Sequence, residues 1–365
     1  MARIGLPNID IVFKQKAVTA VQRSERGVLA IIVKDTTNNE NGIKKYVFKR
    51  GTDVNASDFT TDNYTAIMRA FDVAVNKVYV FAFTGSTTPA DAVKELEKVR
   101  FNWVVTNVAD YQQGLSNYIK QFNNDSKGHK ACCVVANATQ TDSKYVVNLK
   151  GTGGTDTEGK AVSATDYVIR IASTLCNLPM NRSLTYYVFQ DLAEWDASYI
   201  TTEKDANAWI DEGYLLLIND DEEVKCGRAV NSLTTFTSTD TEDMSHIIIV
   251  ESMNMILEDI YTTFKDYYVG KYKNSYDNQC LFLSSVNSYF RTLEGEEILE
   301  PTFDNHAEID IETQRNAWTA IGKTEAEDWS DSKVKNMPFR TWVYALADIK
   351  IMDCIEDIRF TVNMQ

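Results

Sequence analysis

Long apolar runs are missing from this chain, and positive charge is in short supply. No stretch approaches the ~20 apolar residues that a membrane-spanning helix needs; Ile247 to Val250, the longest candidate, is soon interrupted by polar residues. No signal-peptide core follows Met1-Ala-Arg-Ile-Gly, so the chain is expected to be made and folded in the cytoplasm, without direct membrane insertion. Lysine and arginine number 37 against 52 acidic residues, a net charge of −15, which argues against general binding to nucleic acid. Cysteines 132, 133, 176, 226, 280 and 354 include no Cys-x-x-Cys pair and mostly sit in apolar surroundings. Buried free thiols are therefore expected, rather than a disulfide framework or a zinc site. His129, His246 and His306 match no triad or metal spacing, and neither Gly-x-Ser-x-Gly nor His-Glu-x-x-His occurs. No catalytic, cofactor or metal residue can be assigned.

Strand–helix alternation is what the chain has instead. Gly27 to Val33, Lys77 to Phe83 and Ala131 to Ala136 are continuous apolar runs, the mark of strands buried on both faces. Shorter strands are expected at Lys45 to Lys49, Trp103 to Val105, Thr185 to Phe189 and Tyr214 to Ile218. Helical spacing falls at 61–71, 89–99, 111–122, 163–175 and 204–210, with Pro89 in a first turn and Ser163 as a cap. This rhythm predicts an α/β layer built on a mostly parallel, covered sheet. After about residue 240 the texture changes to long helices over 244–268 and 275–293, a helix at 310–321 and a strand at 341–351, an α+β region. The expected divisions are an arm (1–26), a small α/β region (27–89), an α/β layer (90–240), an α+β assembly domain (241–352) and a second arm (353–365).

Several near-motifs fail on their chemistry. Gly154-Thr-Asp-Thr-Glu-Gly159-Lys160-Ala161 is close to a phosphate-binding loop, but Ala161 stands where a magnesium-binding hydroxyl is needed, and Asp156 and Glu158 would repel phosphate. An exposed hairpin over 144–163 is expected there. Asp220-Asp221-Glu222-Glu223 reads as a polar turn without the EF-hand pattern. Asp304, His306, Glu308 and Asp310 would share one strand face, and read as an acidic surface rather than a cation site.

The two chain ends are the most informative stretches. Ile358, Phe360, Val362 and Met364 alternate strictly with Asp357, Arg359, Thr361 and Asn363, the period of a strand with one buried face. Burying those four side chains gives about 6–12 kcal/mol, and ordering ten residues costs about 10–20 kcal/mol of backbone entropy. Ladder hydrogen bonds add about 0.5–1.5 kcal/mol each, so the strand holds only where a sheet edge is waiting. Ile9, Ile11 and Phe13 alternate in the same way, and β-prone sequence continues from Ala17 to Val21. The first arm carries Arg3, Lys14, Lys16, Arg23 and Arg26 against Asp10 and Glu25; the last carries Asp353, Glu356 and Asp357 against Arg359. Oppositely charged strands favour pairing.

Gly227-Arg-Ala-Val-Asn-Ser-Leu-Thr-Thr235 with the long helix after it, Gly5-Leu-Pro-Asn-Ile-Asp-Ile-Val-Phe13, Ala17-Val-Thr-Ala-Val-Gln-Arg-Ser-Glu-Arg-Gly27 and Met352-Asp-Cys-Ile-Glu-Asp-Ile-Arg-Phe-Thr-Val-Asn-Met364 together resemble contractile tail sheath proteins of phages, defective prophages and R-type bacteriocins, in particular the small Gram-positive type. The resemblance covers most of the chain. It implies a helical homopolymer of six-fold rings around an inner tail tube protein, with baseplate and tail-terminator partners. The particle would be assembled in the bacterial cytoplasm and released by lysis as a phage tail or tail-like particle. The α/β layer over 90–240 would correspond to a subtilisin-like layer without protease residues. Residues 8–22 and 354–364 would be strands donated to neighbours, with Ile9, Ile11, Phe13, Val18, Ile358, Phe360, Val362 and Met364 as the contact residues. Val343, Ala345, Ala347 and Ile349 would lie in the accepting strand, and Lys323, Lys333, Lys335 and Arg340 would face the tube. An α/β hydrolase-like enzyme and a monomeric soluble binding protein are the alternatives.

Overall fold

The computed structural model describes residues 20–37, 42–85 and 87–364. Two compact units result, one comprising 23–262, 296–300 and the chain from 350 on, the other 263–295 and 301–349 with the residues just before 23.

The first unit is organised by the apolar runs. Strands β1 (Val28–Lys34) and β2 (Gly42–Phe48), helix α1 (Thr61–Met68), β3 (Lys77–Thr84), α2 (Pro89–Leu96), β4 (Trp103–Thr106), α3 (Gln112–Asp125), β5 (Cys132–Ala136) and β6 (Val146–Leu149) follow in order. With a later strand, β10 (Tyr214–Leu215), these strands form a seven-stranded sheet in the order β10-β6-β5-β4-β1-β3-β2, parallel except for β2. Residues Val28 to Val33 are buried without interruption. Alternate side chains of β1 enter two cores, Leu29, Ile31 and Val33 on one face and Val28, Ala30 and Ile32 on the other. That is why the run shows no polar alternation. The sheet crosses the boundary expected at 89/90, because β3 and β4 flank the same strand, and it draws its strands from as far apart as Val28 and Leu215.

Beyond β6 come the hairpin β7 (Gly153–Asp156) and β8 (Ala161–Ser163), α4 (Ala164–Asn177), β9 (Leu192–Trp195), α5 (Glu203–Asp211), β10 (Tyr214–Leu215), β11 (Leu217–Asp220) and β12 (Glu223–Cys226). Here the expectations need correction. The stretch 144–150 is not a hairpin arm: β6 is a buried, parallel strand of the main sheet. The hairpin is β7–β8, with β9 on the other side of β7. Its glycines serve this packing, since a Cβ on Gly153 would lie 2.2 Å from the Val162 carbonyl and one on Gly154 would lie 2.3 Å from the Glu194 carbonyl. Thr185 to Phe189 is not a strand; it makes a single bridge, Val188 to Lys225, and Tyr186 has φ of 57°. The apolar run Tyr214 to Ile218 splits at Leu216 between two sheets. Ser163 caps α4 as expected, accepting the Asp166 N–H. Helix α6 (Ile247–Thr263) is buried on almost every side.

The apolar length of α6 is interrupted by acids that meet basic groups. Glu251 pairs with Arg26, and Asp259 accepts the Ser24 N–H at 2.7 Å. Glu258 accepts from His129 Nδ1 at 2.9 Å and pairs with Arg100. These bonds fix the chain as it enters β1.

The second unit holds a π turn (Phe264–Tyr268), α7 (Tyr276–Gly295), β13 (His306–Ile309), α8 (Ile311–Ala320), α9 (Asp331–Lys335) and β14 (Ala345–Asp348). The helical spacing expected to run to residue 268 thus changes from α to π after Thr263. Phe264 and Tyr268 stack on each other, and both rings pack edge-on against Phe282 at 5.0 Å. The expected strand 341–351 is shorter, Ala345–Asp348, and pairs antiparallel with β13.

Replacing Ile31 by Ala should cost about 2–5 kcal/mol in a urea melt, because the site lies between strands and cannot collapse. Burial alone would raise the Glu258 carboxyl, but His129, Arg100 and Arg26 outweigh it and hold it below its ordinary 4.5. A depressed carboxylate contributes stability above its unfolded pKa that is lost as pH falls through the folded value. Stability should therefore decline as pH drops below about 4.5. Glu258→Gln should be destabilised at pH 7, with a gap to the parent that narrows in acid.

Candidate functional site

An open α/β sheet holds ligands where the strand order reverses, outside the carboxyl ends of its strands. Here that point lies between β1 and β4. Asp35, which follows β1 and is 2% exposed, accepts the N–H groups of Thr37 and Thr60 at 2.8 Å each and the Asn63 amide at 2.7 Å. Asn63 also donates to the Lys34 carbonyl at 2.8 Å and accepts from Asn107, which reaches Asp166 at 3.3 Å. Burial would raise the Asp35 carboxyl, yet these bonds hold it below its ordinary range. The polar groups at the crevice are bonded to one another rather than aimed at an occupant.

The near-phosphate loop is spent in the same way. Asp156 accepts the N–H groups of Glu158 and Lys160 at 3.1 and 2.8 Å, the donors a phosphate would need, and pairs with Arg69 at 3.1 Å. The acidic stretch 304–310 disperses: Asp310 caps α8 by accepting the Thr313 N–H at 2.8 Å, and Glu308 faces Lys335 at 3.9 Å. Among the described residues, no group of three His, Cys, Asp or Glu side chains is placed to hold a metal.

The chain end has a different character. Residues 350–352 are tied back to 298–300 by the Glu300 N–H to the Lys350 carbonyl and the Met352 N–H to the Ile298 carbonyl, both 2.9 Å. Asp353 meets His246; Glu356 accepts from Ser183 at 2.8 Å and Thr185 at 2.7 Å; Asp357 accepts from Arg228 at 2.6 and 2.7 Å. Beyond Asp357 the apolar side chains lie open: Ile358 is 86% exposed, Phe360 81%, Val362 70% and Met364 93%. Residues 353–364 belong to no strand among the described residues, and the four apolar residues of the alternating pattern are unburied. Arg228 lies in the segment 227–235 that carried much of the family resemblance. The bonds from Arg228, Ser183 and Thr185 to the tail are long-range and left no signal in the sequence.

In the other unit, β13–β14 is a two-stranded sheet with unequal edges. The Asp310 N–H bonds the Tyr344 carbonyl at 3.1 Å, so even-numbered pairs exchange hydrogen bonds. By antiparallel alternation, Ala345 and Ala347 point N–H and C=O away from β13. The mirror groups of Ala307 are closed by Asn287 of α7, whose amide accepts the Ala307 N–H at 2.6 Å and donates to its carbonyl at 3.0 Å. Strand β14, Ala-Leu-Ala-Asp, is exposed along its length and has no lysine or proline to blunt it. The edge strand β2 of the main sheet, by contrast, carries Lys44 and Lys45.

Of the accepting-strand residues expected from sequence, Ala345 and Ala347 lie in β14, while Val343 and Ile349 flank it, half-buried. Ile9, Ile11, Phe13 and Val18 fall outside the described residues. Lys323 and Lys333 converge on one aromatic group: Lys323 Nζ lies 5.2 Å from the rings of both Trp318 and Trp329, and Lys333 Nζ lies 4.8 Å from Trp329. Lys335 is turned to Glu308, and Arg340 lies over Phe339 at 5.4 Å.

Residues 239–365 match the family model described as the phage tail sheath C-terminal domain. A curated tail sheath protein from Clostridium phage phiCD119 is 29% identical over 370 residues, covering 99% of each chain. The helical sheath of the anti-feeding prophage in its contracted state superposes with a TM-score of 0.70 at 10% identity, over 99% of this chain and all of that one. The sheath tail protein of Desulfitobacterium hafniense gives 0.68 at 16% identity, over 83% of this chain and 94% of that one. The anti-feeding prophage baseplate, six-fold symmetrised, contains a chain matching at 0.67 and 11%, over 99% of this chain and all of that one. Residues 239–365 thus carry a sheath C-terminal domain, the chain is similar over its whole length to a phage tail sheath protein, and it has the fold of contractile sheaths, relatives that are structural proteins and not enzymes.

Proposed function

We propose that this chain is a contractile tail sheath protein that polymerises by handing its terminal strands to neighbouring copies, and that the polymer contracts around an inner tail tube to drive it through a cell envelope. The observation that carries the reading is the tail: four large apolar side chains at strand spacing, exposed to water, on a chain that also presents, among the described residues, an unpaired edge at β14. Neither feature is stable alone. An edge strand leaves backbone groups without ladder partners, and a lone strand cannot offset its ordering entropy. Joined between copies, each answers the other, with Ala345 and Ala347 supplying the ladder groups. Since Asn287 closes the other edge, donation is directed to β14.

The N-terminal arm, 8–22, is the second donor in this reading, its basic charge matching acidic partners. Baseplate and tail-terminator proteins would meet the ends of the polymer. Lys323 and Lys333, held over Trp329, with Lys335 and Arg340, would meet an acidic tube surface. The particle would be built in the bacterial cytoplasm and released by lysis as a phage tail or bacteriocin-like particle. The extended array would be metastable, held by tube and baseplate, and contraction would add contacts between subunits whose links persist.

Deleting residues 358–365 should leave a folded subunit that sediments as a monomer and forms no sheaths by negative-stain microscopy; normal sheaths would refute the donated tail. Ala347→Pro removes an outward N–H without touching the bonds to β13. It should likewise spare the fold and block polymerisation, whereas assembly at the parent's level would exclude β14 as the acceptor.

A further inference from the structure

Donated strands need a fixed point of departure, and the tail has one. We infer that the tail is divided at Asp357–Ile358, residues 353–357 forming a clamp that stays with its own subunit in every assembled state and only the chain from Ile358 being handed over. This rests on the strand-exchange reading and narrows the segment 354–364 expected from sequence. Arg228, His246, Ser183 and Thr185 are then positioning residues that aim the strand.

The clamp is built around Glu356, whose side chain is only 9% exposed although it lies eight residues from Met364 in a tail where only Cys354 is otherwise half-buried. Two hydroxyls donate to one of its oxygens, and Arg228 Nε stands 3.5 Å from the other. The partners are themselves fixed. Thr185 Oγ1 accepts the Ala229 N–H at 2.8 Å, the Ala229 carbonyl accepts the Ile247 N–H at 3.2 Å, and Val230 bridges to His246. Arg228 and His246 thus stand on one backbone platform, meeting Asp357 and Asp353 on either side of Glu356. The Arg228–Asp357 pair is exposed and weak alone; the buried Glu356 supplies the hold. Within the clamp Ile355 points to water at 98% exposure, so the hold comes from the polar groups alone, and beyond Asp357 even those contacts end.

The consequence is a link of set length. At roughly 3.3–3.6 Å per residue, the chain from Ile358 to Met364 reaches about 25 Å. Freeing the five clamp residues would lengthen the tether from seven to twelve residues and cut its effective concentration at the acceptor by about twofold, by the −3/2 power of length, besides losing its direction. Neighbours joined this way can turn and slide during contraction while their separation stays bounded.

A disulfide tests this directly. Cys354 Sγ lies 3.9 Å from the Asn181 carbonyl, so Asn181→Cys places a partner beside the native thiol. Oxidised full-length N181C subunits should polymerise within about twofold of the reduced ones, in sheath length and number by negative stain, because the clamp is never asked to open. Oxidised chains that stay soluble while reduced chains assemble would overturn the clamp and leave strand exchange standing. Glu356→Ala, which frees the tether, should lower sheath yield at least about twofold, the loss the lengthened tether sets, while the subunit stays folded. Glu356→Gln, which keeps the acceptor oxygen, should retain most of the yield; equal yields from Ala, Gln and parent would count against the clamp. If sheaths form without residues 358–365, the strand-exchange reading itself fails, whatever these variants do.

Discussion

A backbone that offers hydrogen bonds must find them met, and in this chain two stretches are left owing. Strand β14 points the N–H and C=O groups of Ala345 and Ala347 to an edge with no strand beside it among the described residues. The tail displays Ile358, Phe360, Val362 and Met364 to water. A monomeric enzyme or binding protein would have covered both, since an open edge and a contiguous greasy strand invite aggregation. Under the proposed strand exchange, the two would be halves of one contact.

In that proposal, the surroundings would make the contact selective. Asn287 occupies the Ala307 backbone groups, and lysines guard β2, so one edge stands apart from the other available ones. The ligand crevice of the main sheet is closed by Asp35, Asn63 and Asn107, and the glycine-rich hairpin spends its donors on Asp156. A net charge of −15 opposes bringing copies together at long range. Within the tail, Arg228 offsets part of that charge, standing against both Glu356 and Asp357.

Much of this was legible in the residues, and the limits have physical causes. Buried strands such as β1, β3 and β5 announce themselves because both faces are apolar, and the starts of α2 and α4 are written locally in Thr88, Pro89 and Ser163. The exposure of the tail follows from an alternation with no neighbouring partner. What failed was long-range. Nothing local distinguishes β6 as a central strand from the hairpin arm it was expected to be, because its place is set by β5 and β10. The run at 214–218 reads as one strand, though its two halves bond to different sheets. Thr185 looks like strand sequence, yet its hydroxyl is held between Glu356 and Ala229, partners 171 and 44 residues away. The lysines at 323 and 333 were readable as a basic group, but their convergence on Trp329 required the fold.

The most direct test of the account is a cryo-electron microscopy reconstruction of the polymer formed by this chain, at a resolution that traces backbone. The account predicts density for residues 358–364 running beside Ala345–Asp348 of a neighbouring copy, with Glu356 still against Ser183 and Thr185 of its own. Density that returns the tail to its own subunit, with β14 left bare or covered by something other than a sibling, would contradict it.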